Sequence, residues 1–105
     1  MSSITSYVRG SASATGTAAT AVLAAPSKGR LYVNAVQVIR TDAGATTIYI
    51  TLNDSAASVI GIPAGGGNNV VFPTPLQVAA LTALTFTASV GVTTLFVNAQ
   101  GFTTP

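Results

Sequence analysis

Leu84-Thr85-Phe86-Thr87-Ala88-Ser89-Val90 and, a short turn later, Leu95-Phe96-Val97-Asn98-Ala99 decide the fold of this chain. In the first run Leu84, Phe86, Ala88 and Val90 alternate with Thr85, Thr87 and Ser89; in the second Leu95, Val97 and Ala99 alternate with Thr94, Phe96 and Asn98. Period two sets the apolar members on one side of a pleated strand and their neighbours on the other, the pattern of a half-buried β-strand. Ile48, Ile50 and Leu52 alternate with Thr47, Tyr49 and Thr51 in the same way. Thr, Val and Ile at this density also disfavour a helix, where β-branching costs χ1 freedom.

Outward from these runs, turn residues punctuate the chain. Thr41-Asp42-Ala43-Gly44 links a strand over 31–40 to one over 46–52, and Asn53-Asp54-Ser55 ends the latter. Pro63-Ala64-Gly65-Gly66-Gly67-Asn68-Asn69 reads as a flexible loop, and Pro73-Thr74-Pro75 as an extended bend. Eight or nine short strands are predicted, near 4–9, 17–24, 31–40, 46–52, 57–62, 69–72, 76–79, 83–90 and 93–101. Their spacing predicts an antiparallel sandwich or barrel.

Gly44-Ala45-Thr46-Thr47-Ile48-Tyr49-Ile50 is echoed by Gly91-Val92-Thr93-Thr94-Leu95-Phe96-Val97, about 47 residues on. Each copy reads as the second arm of a hairpin, so the two are corresponding hairpins of a double Greek key or a chance reuse of β vocabulary. Residues 11–25 are nearly all small. They bury little area, which suits a thin edge strand alongside 31–40 or an arm that orders against a neighbour.

Composition excludes most chemistry. The 105 residues include no Cys, His, Trp or Glu, and the charged side chains are Arg9, Lys28, Arg30, Arg40, Asp42 and Asp54. A serine or threonine nucleophile has no base to activate it in the usual ways, so no catalytic residue is assigned and no enzyme is expected. Asp42 and Asp54 flank the 46–52 strand, and eight residues at the strand rise separate Thr46 from Asp54 by about 27 Å. Glycosidase chemistry needs two carboxyl groups within roughly 5–10 Å, so both aspartates are expected to serve turns. Calcium held by Asp42, Asn53, Asp54 and carbonyls is possible in principle, yet no metal and no cofactor is expected. Gly65-Gly66-Gly67 lacks the Lys-Ser/Thr of a phosphate loop and precedes a strand, where a helix N-terminus would be needed.

A net charge of +2 with a pI near 9.5 suggests nucleic acid at first sight. Phosphate-driven binding uses about six or more neutralising contacts, and four scattered cations do not supply them, so no direct nucleic-acid partner is expected. Met1-Ser2-Ser3-Ile4-Thr5 shows no basic segment followed by an apolar stretch, and no apolar run approaches the ~20 residues of a spanning helix. The expectation is a soluble, cytoplasmically made chain with no membrane partner. At 6% charged residues the chain is far below the ~25% of ordinary domains, which points to burial against other subunits or, more plainly, to a tough monomer with a Thr/Ser/Asn coat.

Contact residues are therefore the candidates of interest. With Ile48, Ile50, Leu95 and Val97 inward, Tyr49 and Phe96 point outward at equivalent places, and Tyr32 and Phe102 are placed with them as interface candidates. The plainer reading makes these rings cross-strand partners. Lys28 and Arg30 flank Gly29 after Pro26, a solvated turn or a dock for an acidic partner.

From Leu31 to Phe102 the succession of strands resembles the small all-β virion proteins of tailed bacteriophages. The resemblance rests on Leu31-Tyr32-Val33-Asn34-Ala35-Val36, the Thr46-to-Ile50 stretch, the run from Gly61 to Pro73, and Leu95-Phe96-Val97-Asn98-Ala99-Gln100-Gly101-Phe102. It implies an antiparallel jelly-roll-like β-sandwich of about eight strands, often trimeric, seated on the capsid as a decoration or cement protein. It also implies the major capsid protein as partner and the virion's capsid surface as location. The organisation expected is an N-terminal arm with an edge strand over 1–25 and a β-sandwich domain over 26–105. A glycan-binding or adaptor module of a phage tail or fibre is the alternative, since jelly rolls also serve as lectins.

Overall fold

The computed structural model describes residues 6–41, 46–89 and 95–103. Eight strands follow one another: β1 (Ser6–Ala14), β2 (Thr20–Leu23), β3 (Leu31–Arg40), β4 (Ile48–Leu52), β5 (Val59–Ile62), β6 (Gly67–Gln77), β7 (Leu84–Ala88) and β8 (Leu95–Thr103). They form two antiparallel four-stranded sheets, ordered β1-β8-β3-β6 and β2-β7-β4-β5. First pairs with last throughout: β1 with β8, β2 with β7, β3 with β6 and β4 with β5. That is a long hairpin rolled up so that its arms fall alternately into two sheets, the jelly-roll sandwich.

The period-two runs explain the layers. Ile48, Ile50, Leu52, Leu84, Phe86, Leu95 and Val97 all turn inward and are buried, joined by Val33, Val36 and Val38 of β3. One apolar cluster therefore lies between the sheets. The polar alternates face outward, so each sheet keeps one wet face.

Three local expectations change. Residues 69–72 and the start of 76–79 belong to one strand, β6, which runs through Pro73 and Pro75 and ends at Gln77; Val78 beyond it makes an isolated bridge to Asp54. Proline removes a ladder donor and is admitted because β6 is a sheet edge. The partners of Val33 and Ala35 jump from Leu76 to Val71, so the intervening residues bulge out of register. The glycine loop is shorter than expected: Gly66 N–H donates to the Pro63 carbonyl at 3.3 Å, Gly65 takes φ +67, and Gly67 already belongs to β6. The small-residue segment lies elsewhere than beside 31–40. β1 pairs with β8 along its whole length and β2 with β7, giving one edge strand to each sheet. Val8, Ala12 and Ala14 pack against the core. Small size serves closure here, because a Cβ at Gly10 would run into the Val22 carbonyl oxygen where β1 passes β2.

The repeated motif does not mark hairpins. β3 and β4 lie in different sheets, as do β7 and β8, so both copies lead into a strand that has changed sheet. Residues 44, 45 and 91–94 of the two copies lie outside the described residues, as does Asp42.

The buried charged groups, Arg40 and Asp54, hold opposite ends of the sandwich. Arg40 Nη1 donates to the carbonyls of Thr46 at 2.7 Å and Ile62 at 3.2 Å, tying β3 to both neighbouring connections. Asp54 serves its turn as expected: its carboxylate accepts from Ser58 N–H and Ser58 Oγ, each at 2.7 Å. Asp54→Ala leaves the half-buried Ser58 amide without its acceptor, an expected loss of about 1–3 kcal/mol, measurable by urea unfolding.

Candidate functional site

The outer face of the β1-β8-β3-β6 sheet carries the largest concentration of polar and aromatic side chains. Cross-strand register arranges them in rows. At one end Tyr7, Phe102, Tyr32 and Gln77 lie side by side across the four strands. Next come Arg9, Gln100, Ala35 and Val71, then Ser11, Asn98, Gln37 and Asn69. Ser13, Phe96, Ile39 and Gly67 close the other end. From Phe102 to Phe96 is about 20 Å at the strand rise.

The two middle rows line an open trough of about 770 Å³. Its depth comes from short side chains at Ser11 and Ala35, and its exposed apolar spot is Val71, 74% accessible. Asn98 Nδ2 donates to Gln37 Oε1 at 3.2 Å, which fixes the two amides against each other. Among the described residues, Arg9, Asn69 and Gln100 make no side-chain hydrogen bond.

Of the six contact candidates, four meet at the first end. Tyr32 and Phe102 stack with ring centroids 5.1 Å apart and planes 10° apart. Both rings are partly exposed, and the pair is a cross-strand contact at the sheet surface. Lys28 and Arg30 precede β3 at the same end, Lys28 exposed and Arg30 reaching Gln77 Oε1 at 3.5 Å. Gly29 between them takes φ +65 and accepts Leu81 N–H at 2.9 Å, which sets exposed Leu81 beside the two cations. Phe102→Ala removes one half-buried ring and its stacking, an expected loss of about 1–3 kcal/mol by thermal unfolding.

Tyr49 and Phe96 are exposed, at 50% and 44%. They are not equivalent: Tyr49 stands on the outer face of the β2-β7-β4-β5 sheet, where it covers Gly61, and Phe96 beside Ile39 on the opposite outer face. The sheet changes before β4 and β8 separate them.

The sequence reading missed Tyr7, 82% exposed, together with Arg9, Gln37, Asn69, Asn98 and Gln100 as members of one surface. The alternation Phe96, Asn98, Gln100, Phe102 gave the β8 members; the neighbours of β8 needed the topology. Asn53, weighed as a metal ligand, uses both amide atoms on backbone, donating to Ala83 O and accepting from Thr85 N–H, each at 2.8 Å.

No protein-family model matches this chain. No curated protein matches it either. Among solved structures it is similar to one from work on Bacillus endospore appendages, described as a family of disulfide-linked pili, at 11% identity and a TM-score of 0.46 over 94% of this chain and 90% of that one.

Proposed function

We propose that this chain is a non-catalytic contact protein of a phage particle, a decoration or cement protein that bridges subunits of the major capsid protein. The observation that supports this reading best is the gathering of Tyr7, Lys28, Arg30, Tyr32, Leu81 and Phe102 at one end of a sandwich whose described surface is otherwise nearly free of charge. Aromatic and aliphatic anchors beside two cations form a tip suited to an acidic, partly apolar partner. The described carboxylate, Asp54, is buried and engaged with Ser58. Many copies binding only the assembled shell stabilise that shell by mass action. Self-association, as a trimer, multiplies weak contacts into avidity.

The test is binding to shells stripped of this chain. Lys28→Glu combined with Arg30→Glu is expected to weaken binding at least about tenfold and to reverse its salt dependence, with the circular dichroism unchanged. Binding that survives the double reversal at full strength removes the tip from the interface. Phe96→Ser and Tyr49→Ser address the two outer faces separately: each is expected either to shift the trimer towards monomer or to weaken shell binding by about fivefold. A substitution that leaves both unchanged takes its ring off the contact surface.

A further inference from the structure

We propose that the trough on the outer face of the β1-β8-β3-β6 sheet binds an acidic oligosaccharide. This site is separate from the docking tip and does not depend on the particle role.

Three features of the trough select that ligand. Four of its six polar lining side chains are carboxamides, Gln37, Asn69, Asn98 and Gln100, beside Arg9 and Ser11. A carboxamide presents a donor and an acceptor in one plane, the complement of a sugar hydroxyl that both gives and takes a hydrogen bond. Asn98 and Gln37 hold each other in place and still offer Asn98 Oδ1 and Gln37 Nε2, while Asn69 and Gln100 are unengaged among the described residues. An ordered pair beside unengaged amides presents a part-formed site whose polar groups need a polar ligand.

Charge adds the second constraint. Arg9 is the charged residue in the trough lining, and among the described residues no carboxylate stands on this face. A guanidinium without an acidic neighbour suits a carboxylate on the ligand, which it grips through two parallel N–H donors. A uronic or sialic acid chain carries that group along with its hydroxyls.

Shape supplies the third. Val71 and Ala35 form an apolar strip beside the amides, fit for the C–H face of a pyranose. The lining crosses all four strands, about 14 Å at the strand spacing, and a short oligosaccharide laid across them fits this length. A single-stranded nucleic acid fits less well, because base stacking needs open ring faces. The middle rows hold no aromatic side chain, and the Tyr32 and Phe102 rings face each other.

The experiment is a titration of the ¹⁵N-labelled full chain with acid tetrasaccharides of galacturonate, mannuronate and sialate, and with neutral galactotetraose. The side-chain amide signals of Gln37, Asn69, Asn98 and Gln100 are followed. At least one acidic chain is expected to shift these four signals together, binding about fivefold more tightly than the neutral one. Arg9→Gln is expected to erase that preference, and Asn98→Ala to weaken both ligands. Both residues are exposed, so the remaining spectrum reports an intact fold. Three results overturn the proposal: no shift at these amides with any acidic chain at millimolar concentration, equal shifts with oligothymidylate, or shifts produced by protein concentration alone, which would make the face a contact between copies. Shell binding by Arg9→Gln is measured in parallel and is expected to be unchanged, so a failed trough leaves the docking tip standing.

Discussion

Phe86→Ala is expected to take a large share of the chain's folding stability. Phe86 is the largest fully buried side chain, placed on β7 between β2 and β4 and opposite Thr20 and Leu52 in register. Its ring projects from the centre of one sheet into the space between both. Removing it forfeits transfer energy and leaves a cavity, about 3–5 kcal/mol in comparable cores. A domain of this length holds about 5–10 kcal/mol in all, so the loss takes about a third of its stability or more. Phe86→Leu keeps most of the volume and is expected to cost about 1.5 kcal/mol. Urea unfolding followed by circular dichroism orders the three proteins. A midpoint for Phe86→Ala close to that of the parent would mean that the sheets do not pack as described.

Gly101→Val is expected to break the pairing of β3 with β8. Gly101 sits opposite Val33, beside the irregularity where β3 advances two residues and β8 one, leaving Asn34 without a partner in the register. A Cβ at this position would strike the carbonyl oxygen of Tyr32 and come within 3.0 Å of Val33 Cα. Both obstacles are backbone, so no side chain can swing aside. The strands must separate locally, at an expected cost of about 3 kcal/mol or more, because overpacked backbone sites lie at the severe end of substitution effects. Gly16→Val is the control: a Cβ there meets nothing within 4 Å, and a change under about 0.5 kcal/mol is expected. Amide exchange locates the damage, which is expected in β3 and β8 and to spare β4 and β5. Uniform loss of protection in both sheets would contradict this local account.

Strand identity was legible where one sheet face meets water. Ile48-Tyr49-Ile50 and Leu95-Phe96-Val97 announce their inward members by alternation, and β3 ends at Arg40 as its apolar run predicts. Sheet membership was not legible, because alternation says which way a side chain points and nothing about which strand lies alongside. Hence the paired motifs before Ile48 and Leu95 read as hairpins, though each leads across the sandwich. Pro73 and Pro75 read as a break because proline forbids a central strand, and only the edge position of β6 lifts that prohibition. The outer surface was half visible. Tyr32, Phe102, Lys28 and Arg30 were singled out by residue type, but their meeting at one end needed the topology, and the trough needs β1, β3 and β6 ranged about β8, a long-range arrangement that no local pattern encodes.

Chemistry and shape agree in this chain. His and Cys are missing from the sequence, and among the described residues the buried charges, Arg40 and Asp54, bond to backbone groups. In the proposed roles the tip takes a protein partner and the trough a saccharide. The central claim is action by contact on a particle. Cryo-electron microscopy of particles purified from cells that make this chain tests it most directly. The account predicts sandwich-shaped density on the outside of the shell, with the end bearing Tyr7, Lys28 and Arg30 against the capsid subunits. Particles bare of that density, with the chain left free in the supernatant, contradict it.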